Sequence, residues 1–245
     1  MKHFHTRPDA PIEKLFLSAG AAKAGTTWLY RIMDCHPQIL GTPIKEIHYF
    51  ARDLVHWDVL GREERLRRMR EHLGWIINDQ NHSYIEKNMR WFADFLMDVD
   101  GPQWFANLFR NRKNDVYCSE FSNLTSLIRG DEWKRVAEVS NHVRVLYTIR
   151  NPLYRYWSHM KFHYSLFDHN LDLKTLTTEE YKRIILSDDF WKHGNYSSFI
   201  EDAKKNLDPD EFCVMRFEDF RVKGDRGNGS EGMAGLCGPD GDFEG

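Results

Sequence analysis

The chain has 245 residues, of which 41% are hydrophobic and 14% aromatic, and its formal net charge is -3. This length and apolar content suit one globular domain with a sizeable core, and the charge excludes the general positive excess that nucleic-acid binding requires. The N-terminus has no apolar segment of signal-peptide length and no later run is long enough to span a bilayer, so we expect a cytoplasmic protein with no membrane contact.

Five short apolar runs predict β-strands, and each run is followed by turn residues or by a helical pattern. In chain order they are KLFLSA from Lys14, QILG from Gln38, DVYCSEF from Asp115, VRVLYTI from Val143 and EFCVMRF from Glu211. Runs that are apolar at most positions are typical of strands buried on both faces, as in a mostly parallel sheet covered by helices.

Helical patterns fill the intervals between these strands. They are 28–33, 61–75, 84–109 as two aromatic-rich helices broken at Gly101-Pro102, 131–139, 151–164, 177–187 and 195–207. Asp131 is suited to cap its helix, and Asn151 is predicted to be an N-cap with Pro152 at the first helical position. Alternating strands and helices predict a three-layer α/β fold with a mostly parallel central sheet flanked by helices.

The C-terminal residues differ from the rest of the chain, because eight of the 16 glycines lie from Gly224 onward. Such a segment buries too little apolar surface to offset the entropy of ordering. We therefore predict an α/β domain over residues 1–222 and a Gly-rich, disordered tail over 223–245.

Cysteine and histidine spacing gives no metal motif. The four cysteines, at positions 35, 118, 213 and 237, include no C-x-x-C pair, so neither a zinc ribbon nor a disulfide framework is indicated and a reducing compartment is expected. His159 and His163 are four residues apart, but Met160 stands where the H-E-x-x-H motif has glutamate. We expect no metal site.

The segment LFLSAGAAKAGTTWLYRI, from Leu15 to Ile32, places a glycine-bearing loop between a strand and a helix. Backbone N–H groups of such a loop and of the helix N-terminus bind anions. Gly20 and Gly25 have the spacing of G-x-x-x-x-G-K-[ST], but Thr26 follows Gly25 and the lysine is Lys23, inside the loop. The loop is a poor match to magnesium-ATP chemistry, and the alternative is an ordinary glycine turn.

A second polar segment, YTIRNPLYRYWSHM, follows the fourth predicted strand. Arg150 ends that strand beside a new helix N-terminus, where a guanidinium can bind a phosphate through a fork of donors. Arg155 and Ser158 share one helical face. Taken alone, Arg155 favours a structural ion pair and Ser158 a small packing residue.

Together, KAGTTWL and RNPLYRYWS resemble the two cofactor motifs of sulfotransferases that use 3'-phosphoadenosine 5'-phosphosulfate (PAPS), K-[ST]-G-T-T-W-L and R-[ND]-P-x-x-R-x-x-S. The resemblance runs from about Lys14 to Phe220 and ends in VMRFEDF, which is similar to the family's final strand. It implies a P-loop-like fold, PAPS as co-substrate, no metal, and a carbohydrate or small-molecule acceptor that carries a hydroxyl group.

The resemblance also implies roles for individual residues. Arg150 and Ser158 would hold the 3'-phosphate, and Trp28 would lie against the adenine, although Trp28 could equally be the first core residue of its helix. The remaining residues of the implied cofactor-binding set, which would hold the 5'-phosphosulfate, are Lys23, Ala24, Gly25, Thr26 and Thr27.

A base for the acceptor hydroxyl is expected in GTPIKEIHYFARD, which resembles the KE-x-[HQ]-[FY]-F stretch of heparan-type and related bacterial sulfotransferases. Glu46 is the implied base, Lys45 a charge partner for the sulfuryl group, and Lys23 the stabiliser of the leaving phosphate. His48 is the rival base. The alternative is that Lys45 and Glu46 form a solvated charged pair.

The chain departs from the heparan-type pattern in SEFSNLTS, where EKSP.Y is expected. Glu120 and Ser122 remain candidates to line the acceptor site. The aromatic residues of 84–109 are expected either to border the acceptor pocket or to serve only the core. Arginines at 62, 65, 67, 68 and 70 form either a basic patch for a sulfated polysaccharide or a solvated helix face.

Two other functions remain open for this sequence. One is a P-loop nucleotide or small-molecule kinase, which the position of Lys23 disfavours. The other is a non-catalytic module that binds 3'-phosphoadenosine 5'-phosphate (PAP) or another nucleotide.

Overall fold

A computed structural model of the chain describes residues 10–76, 82–113, 116–167 and 173–220. The Gly-rich segment 223–245, predicted to lie beyond the domain 1–222, is outside the described residues.

One five-stranded sheet has the strand order β2-β3-β1-β4-β5, and its neighbouring strands pair in parallel. The strands are β1 (Ile12–Ser18), β2 (Ile39–Leu40), β3 (Tyr117–Phe121), β4 (Ser140–Ile149) and β5 (Phe212–Arg216). All five predicted strands are confirmed. β4 begins three residues before the predicted Val143, because its first residues continue the ladder with β1 at Ile12 and Lys14.

The intervals contain the predicted helices. They are α1 (Thr26–Asp34), α2 (Arg62–Ile76), α3 (His82–Phe95), α4 (Gly101–Asn107), α5 (Trp133–Val139), α6 (Pro152–Phe167), α7 (Thr178–Ile185), α8 (Asp188–Trp191) and α9 (Tyr196–Asn206). The four-residue α8 was not predicted, because one turn carries too little periodicity. Asp131 does not cap α5: it lies in the 3-10 turn Gly130–Glu132 that precedes the helix.

Side chains that alternate along β1 face opposite sides of the sheet. Leu15 and Leu17 pack in the main core with helices such as α4, α5 and α9, whereas Phe16 packs in a smaller cluster with Leu29 of α1. β4 alternates in the same way, with Leu146 in the smaller cluster and its neighbours in the main core. The sheet is therefore covered on both faces, which confirms the three-layer α/β prediction.

The strand order creates a crevice between β1 and β4. From β1 the chain continues through α1 to β2 on one side of the sheet, whereas from β4 it continues to β5 on the other side. In open parallel sheets, ligands bind at the carboxyl ends of the strands where the order reverses in this way. The loops that carry Lys23 and Arg150 both leave the sheet at this point.

Cys118 and Cys213 are free thiols, whereas Cys35 is disulfide-bonded. The cysteine spacing indicated no disulfide framework, and the bond at Cys35 was not predicted because spacing along a chain does not show which cysteines meet in space. In the described part of the chain, no helix has both the length and the apolar character to cross a membrane.

Candidate functional site

The loop between β1 and α1 adopts backbone conformations that favour glycine. Gly20 and Gly25 have φ values of 111° and 86°, and Lys23 between them has a φ of 66°. A Cβ atom on Gly25 would lie 2.4 Å from Cδ2 of Phe217, which packs directly on the loop. Glycine at position 25 is therefore required by both the backbone conformation and the close approach of Phe217.

The N-terminus of α1 offers unpaired donors at the same point. Gly25 is the N-cap residue, and because glycine has no side chain it satisfies none of the first amides of the helix by side-chain capping. Its carbonyl oxygen accepts the N–H of Leu29 at 3.1 Å, so the amides of Thr26, Thr27 and Trp28 precede the first intrahelical bond. These amides and the positive end of the helix dipole favour an anion.

Lys23 and Arg150 meet at this loop. Arg150 Nη1 donates a hydrogen bond to the backbone oxygen of Lys23 at 3.3 Å, and Lys23 Nζ lies 4.1 Å from the centroid of the Phe162 ring. Burial lowers the pKa of Lys23, and the charges of Arg150 and Lys161 lower it further. The arrangement concentrates positive charge that an anion would stabilise.

Glu218, a carboxylate that the charge of Arg150 influences, has another partner. Glu218 Oε1 accepts the backbone N–H of Asn151 at 2.9 Å, and this bond, together with the charge of Arg150, lowers the pKa of Glu218. Within the described ranges, neither Lys23 nor Arg150 forms an ion pair. The guanidinium of Arg150 instead lies 4.7 Å from the centroid of the Phe217 ring.

Helix α6 begins as predicted and carries Ser158 toward Lys23. Asn151 Oδ1 accepts the N–H of Leu153 at 3.1 Å, which confirms the N-cap. Ser158 is one helical turn before Phe162 and shares its face, so it lies on the side of α6 that contacts Lys23.

Arg155 does not form the ion pair expected of it as a structural residue. Its side chain is fully buried, and Nη1 is 3.5 Å from Nδ1 of His159, a neutral imidazole whose pKa burial lowers to about 3. Nε and Nη2 of Arg155 have no hydrogen-bond partner among the residues that the structure describes. A one-dimensional pattern could not show this, because it gives no information about which groups surround a side chain.

Trp28 lies at the edge of the smaller apolar cluster, and its ring centroid is 5.0 Å from that of Phe220. It is partly buried. Its remaining exposed ring surface is available to a ligand, while its packing serves the fold.

Lys45 joins the loop to the segment that follows β2. Its Nζ donates to Oγ1 of Thr27 at 3.0 Å and lies 3.5 Å from Oγ1 of Thr26. It is also 3.8 Å from Oε1 of Glu46, and the two side chains are 15% and 27% exposed. The alternative of a solvated charged pair is therefore wrong, since both groups lie largely inside the protein.

Glu46 and His48 occupy the same corner of the site. Oε2 of Glu46 accepts the backbone N–H of Asn123 at 2.8 Å and is 3.7 Å from Nδ1 of His48. Burial raises the pKa of Glu46 against the opposing charge of Lys45, whereas burial lowers the pKa of His48 to about 3. A carboxylate with a raised pKa is the stronger base of the two.

Glu120 and Ser122 hold the backbone that carries these groups. Glu120 Oε1 accepts the N–H of Ile47 at 3.1 Å and the hydroxyl of Ser122, and Ser122 Oγ accepts the N–H of His48 at 2.9 Å. These bonds fix a segment in which Glu46 and His48 have φ values of 61° and 64°. Burial raises the pKa of Glu120 to about 7.

This positioning role was not predicted from the sequence, which assigned Glu120 and Ser122 only to the acceptor lining. The available signal was a glutamate within a predicted buried strand, because a buried carboxyl group requires hydrogen-bond partners.

The arginine run of α2 does not form a basic patch. Arg65 is only 4% exposed and donates to the backbone oxygens of Leu60, Phe95 and Met97. Arg68 points inward and donates to the backbone oxygen of Lys45. Arg67 pairs with two glutamates of its own helix, so the run is neither a polyanion site nor a uniformly solvated face.

The model of the Sulfotransferase family matches residues 17–223 of the chain. A solved sulfotransferase from Alicyclobacillus acidocaldarius is similar, with 20% sequence identity, a TM-score of 0.57 and coverage of 85% of this chain and 74% of that chain. The sulfotransferase domain from the curacin biosynthetic pathway has 16% identity, a TM-score of 0.52 and coverage of 85% and 68%. No curated protein matches the sequence.

Proposed function

The chain belongs to the sulfotransferase family, and from this premise we propose that it transfers a sulfuryl group from PAPS to the hydroxyl group of a carbohydrate or small-molecule acceptor. In this reaction the acceptor oxygen forms a bond to sulfur while the bond between sulfur and the phosphate oxygen breaks. The hydroxyl proton passes to a base, and the products are a sulfate ester and PAP.

One contact carries the proposal. The hydrogen bond from Arg150 to the backbone of Lys23 joins the loop after β1 to the end of β4. A donor with phosphate groups at both the 5' and 3' positions needs cationic groups at two places in one site. The cations at Lys23 and Arg150, together with the unpaired amides of α1, supply that charge and those donors.

Each part of the donor site would bind a different part of PAPS. The amides of 26–28 and the hydroxyls of Thr26 and Thr27 would hold the 5'-phosphosulfate, and Lys23 would stabilise negative charge on the leaving phosphate. The N–H of Ala24 donates instead to the backbone oxygen of Ala21 at 3.2 Å, so Ala24 would contribute only loop shape. Arg150 and Ser158 would hold the 3'-phosphate, and Trp28 would lie against the adenine. PAPS has no β,γ-phosphate pair, which is the group that a lysine after Gly25 and a magnesium ion serve in ATP sites.

Glu46 is the proposed base. Its raised pKa brings it closer to the range in which a carboxylate removes a proton efficiently, and its bond to Asn123 fixes its direction. Lys45 lies between Glu46 and the hydroxyls of Thr26 and Thr27, and would neutralise the charge of the transferring sulfuryl group. His48, neutral at ordinary pH, would be a hydrogen-bonding neighbour rather than the base.

The reaction is tested by incubating the protein with PAPS, EDTA and separate neutral and anionic acceptors, and by measuring PAP release chromatographically. We expect PAP to form in an acceptor-dependent manner without magnesium. A kinase would instead release ADP from magnesium-ATP. A non-catalytic module would bind PAP and release none from PAPS with any acceptor, and either result would reject the proposed reaction.

A further inference from the structure

A cavity of about 520 Å³ lies beside the edge strand β2, between α1, α3 and the segment that follows α4. Its volume is within the range of about 300 to 1,000 Å³ that is typical of small-molecule sites. Tyr84, Trp91 and Phe109 of the aromatic segment 84–109 line it, whereas Trp104 and Phe105 are buried in the main core. The segment therefore serves both the core and a cavity wall.

Tyr30 is the lining residue that lies near Lys45. This residue lines the cavity, and the centroid of its ring is 6.0 Å from Nζ of Lys45. Thr42 and Pro43 also line it, and Thr42 Oγ1 donates to the backbone oxygen of Ile44 at 2.7 Å. Lys45 and Glu46 do not line the cavity, but they follow Pro43 by two and three residues, so this wall of the cavity adjoins them.

The charged residues of the lining balance one another. Two of the three basic residues form ion pairs with acidic ones, Arg90 with Glu86 and Arg110 with Asp94. The third basic residue, Lys87, lies close enough to Asp34 to lower its pKa against the raising effect of burial. A polyanionic acceptor would need an excess of positive charge that this lining lacks.

The rings and one carboxylate define what the cavity can bind. The Tyr30 hydroxyl donates to the Thr42 oxygen at 2.6 Å and Trp91 Nε1 donates to the Leu108 oxygen at 2.9 Å. The polar atoms of these side chains are thus already bonded, and they present ring surface to the cavity. Among the described residues, Asp34 is the lining carboxylate without an ion pair, so its oxygens can accept hydrogen bonds from a hydroxyl group.

We propose that this cavity binds the acceptor, and that the acceptor is an uncharged molecule with a ring and at least one hydroxyl group. The inference rests on the proposed sulfotransferase function and narrows its acceptor class. The inward direction of Arg65 and Arg68 agrees with it, because these two of the five arginines in the run are used within the protein and are not offered to a sulfated polysaccharide.

The test uses the full chain with bound PAP, and two probes: 2-naphthol, which is uncharged and has a ring, and a heparin tetrasaccharide. Saturation-transfer NMR measures the binding of each probe to the wild type and to the variants Ser83→Trp and Met89→Trp. Ser83 is an exposed lining residue, so a tryptophan there fills the cavity without disturbing the core. Met89 is on the same helix, 50% exposed and outside the lining, which makes it the matched control.

We expect 2-naphthol to bind the wild type and Met89→Trp equally and to bind Ser83→Trp at least about 10-fold more weakly, a change that corresponds to about 1.4 kcal/mol. Asp34→Asn should weaken the same probe while leaving PAP affinity unchanged. Three results would overturn the inference. The first is equal binding of 2-naphthol by both tryptophan variants, and the second is no binding of 2-naphthol to the wild type. The third is that only the tetrasaccharide binds and that Ser83→Trp weakens its binding. If PAP itself fails to bind the wild type, the donor proposal falls first and this inference falls with it.

Discussion

The guanidinium of Arg150 donates a hydrogen bond to the backbone oxygen of Lys23, across 127 positions of sequence. The two residues follow β4 and β1, which are neighbours in the sheet and pair in parallel from Ile12 to Ser18. The ladder continues beyond β1, where Thr148 donates to the oxygen of Gly20 at 2.8 Å. The sheet itself therefore assembles the two halves of the proposed donor site.

Removal of the Arg150 side chain should weaken PAP binding about 10- to 100-fold. The variant loses hydrogen bonds to a charged phosphate, and one such bond contributes about 1.5 to 3 kcal/mol. Arg150→Ala is compared with Arg144→Ala, because Arg144 is an exposed arginine of the preceding strand β4 that pairs with Asp210 at 3.3 Å. Calorimetric titration with PAP measures both affinities. Equal losses in the two variants would mean that Arg150 does not hold the ligand.

Glu46→Gln should lower kcat by about 10²- to 10⁴-fold while PAP affinity is retained, since the change removes a general base and keeps the shape of the side chain. The wild-type rate should fall on the acid side at a pH above the ordinary glutamate value of 4.5, because burial raises the pKa of Glu46. The residual rate of the variant should lack that dependence. A comparable loss of kcat in His48→Gln, with an unaffected Glu46→Gln, would assign the base to His48 instead.

Glu120 should make the stability of the protein depend on pH. Its pKa is raised to about 7 by burial, so between pH 4.5 and about 7 the native state holds a proton that the unfolded state has released. The stabilisation of the native state by this group is therefore fully present below pH 4.5 and is lost as the pH rises to about 7. The free energy of unfolding of the wild type should therefore fall by about 1 to 3 kcal/mol between pH 5 and 8 through this group, and Glu120→Gln should not show that fall.

Urea denaturation at the two pH values measures this difference. Glu179→Gln is the control, because Glu179 is 77% exposed in a surface ion pair with Lys182. If the wild type and Glu120→Gln lose stability equally with rising pH, Glu120 does not carry the proton.

Gly25→Ala should destabilise the protein by about 1 to 3 kcal/mol and weaken PAP binding, because the new methyl group meets the Phe217 ring and the backbone φ is positive. Adding Phe217→Ala should restore part of the loss by removing the contact, but not the part due to φ. Thermal unfolding of the two single variants and the double variant measures the recovery. A double variant with additive losses would show that the Phe217 contact does not limit the loop.

The sheet could be predicted from the sequence because its strands are short runs that are apolar at most positions, such as Val143 to Ile149, and burial on both faces leaves that signature in composition. The sequence placed the start of α5 at Asp131, but the helix begins at Trp133. The carboxylate of Glu132 accepts the N–H of Arg129 and stabilises a separate turn before the helix. Local contacts of this kind compete with capping propensity and leave no periodic signal.

The candidate site likewise has residues that the sequence could indicate and contacts that it could not. Lys23 and Arg150 could be proposed as donor-site residues from their motifs, since each motif is local, and the structure brings the two residues together. The bonds from Glu120 and Ser122 to the backbone of Ile47 and His48 span more than 70 positions and depend on the register of β3 beside the 44–48 segment. The inward direction of Arg65 and Arg68 likewise depends on α3 and the segment at Lys45, which no pattern within α2 contains.

The most direct test of the central claim is a calorimetric titration of the wild-type protein with PAP in EDTA, beside a titration with magnesium-ATP. A single donor site built from Lys23 and Arg150 predicts saturable binding of PAP without magnesium, at an affinity that exceeds that for magnesium-ATP. Binding of magnesium-ATP alone, or no binding of PAP to the folded protein, would contradict the account.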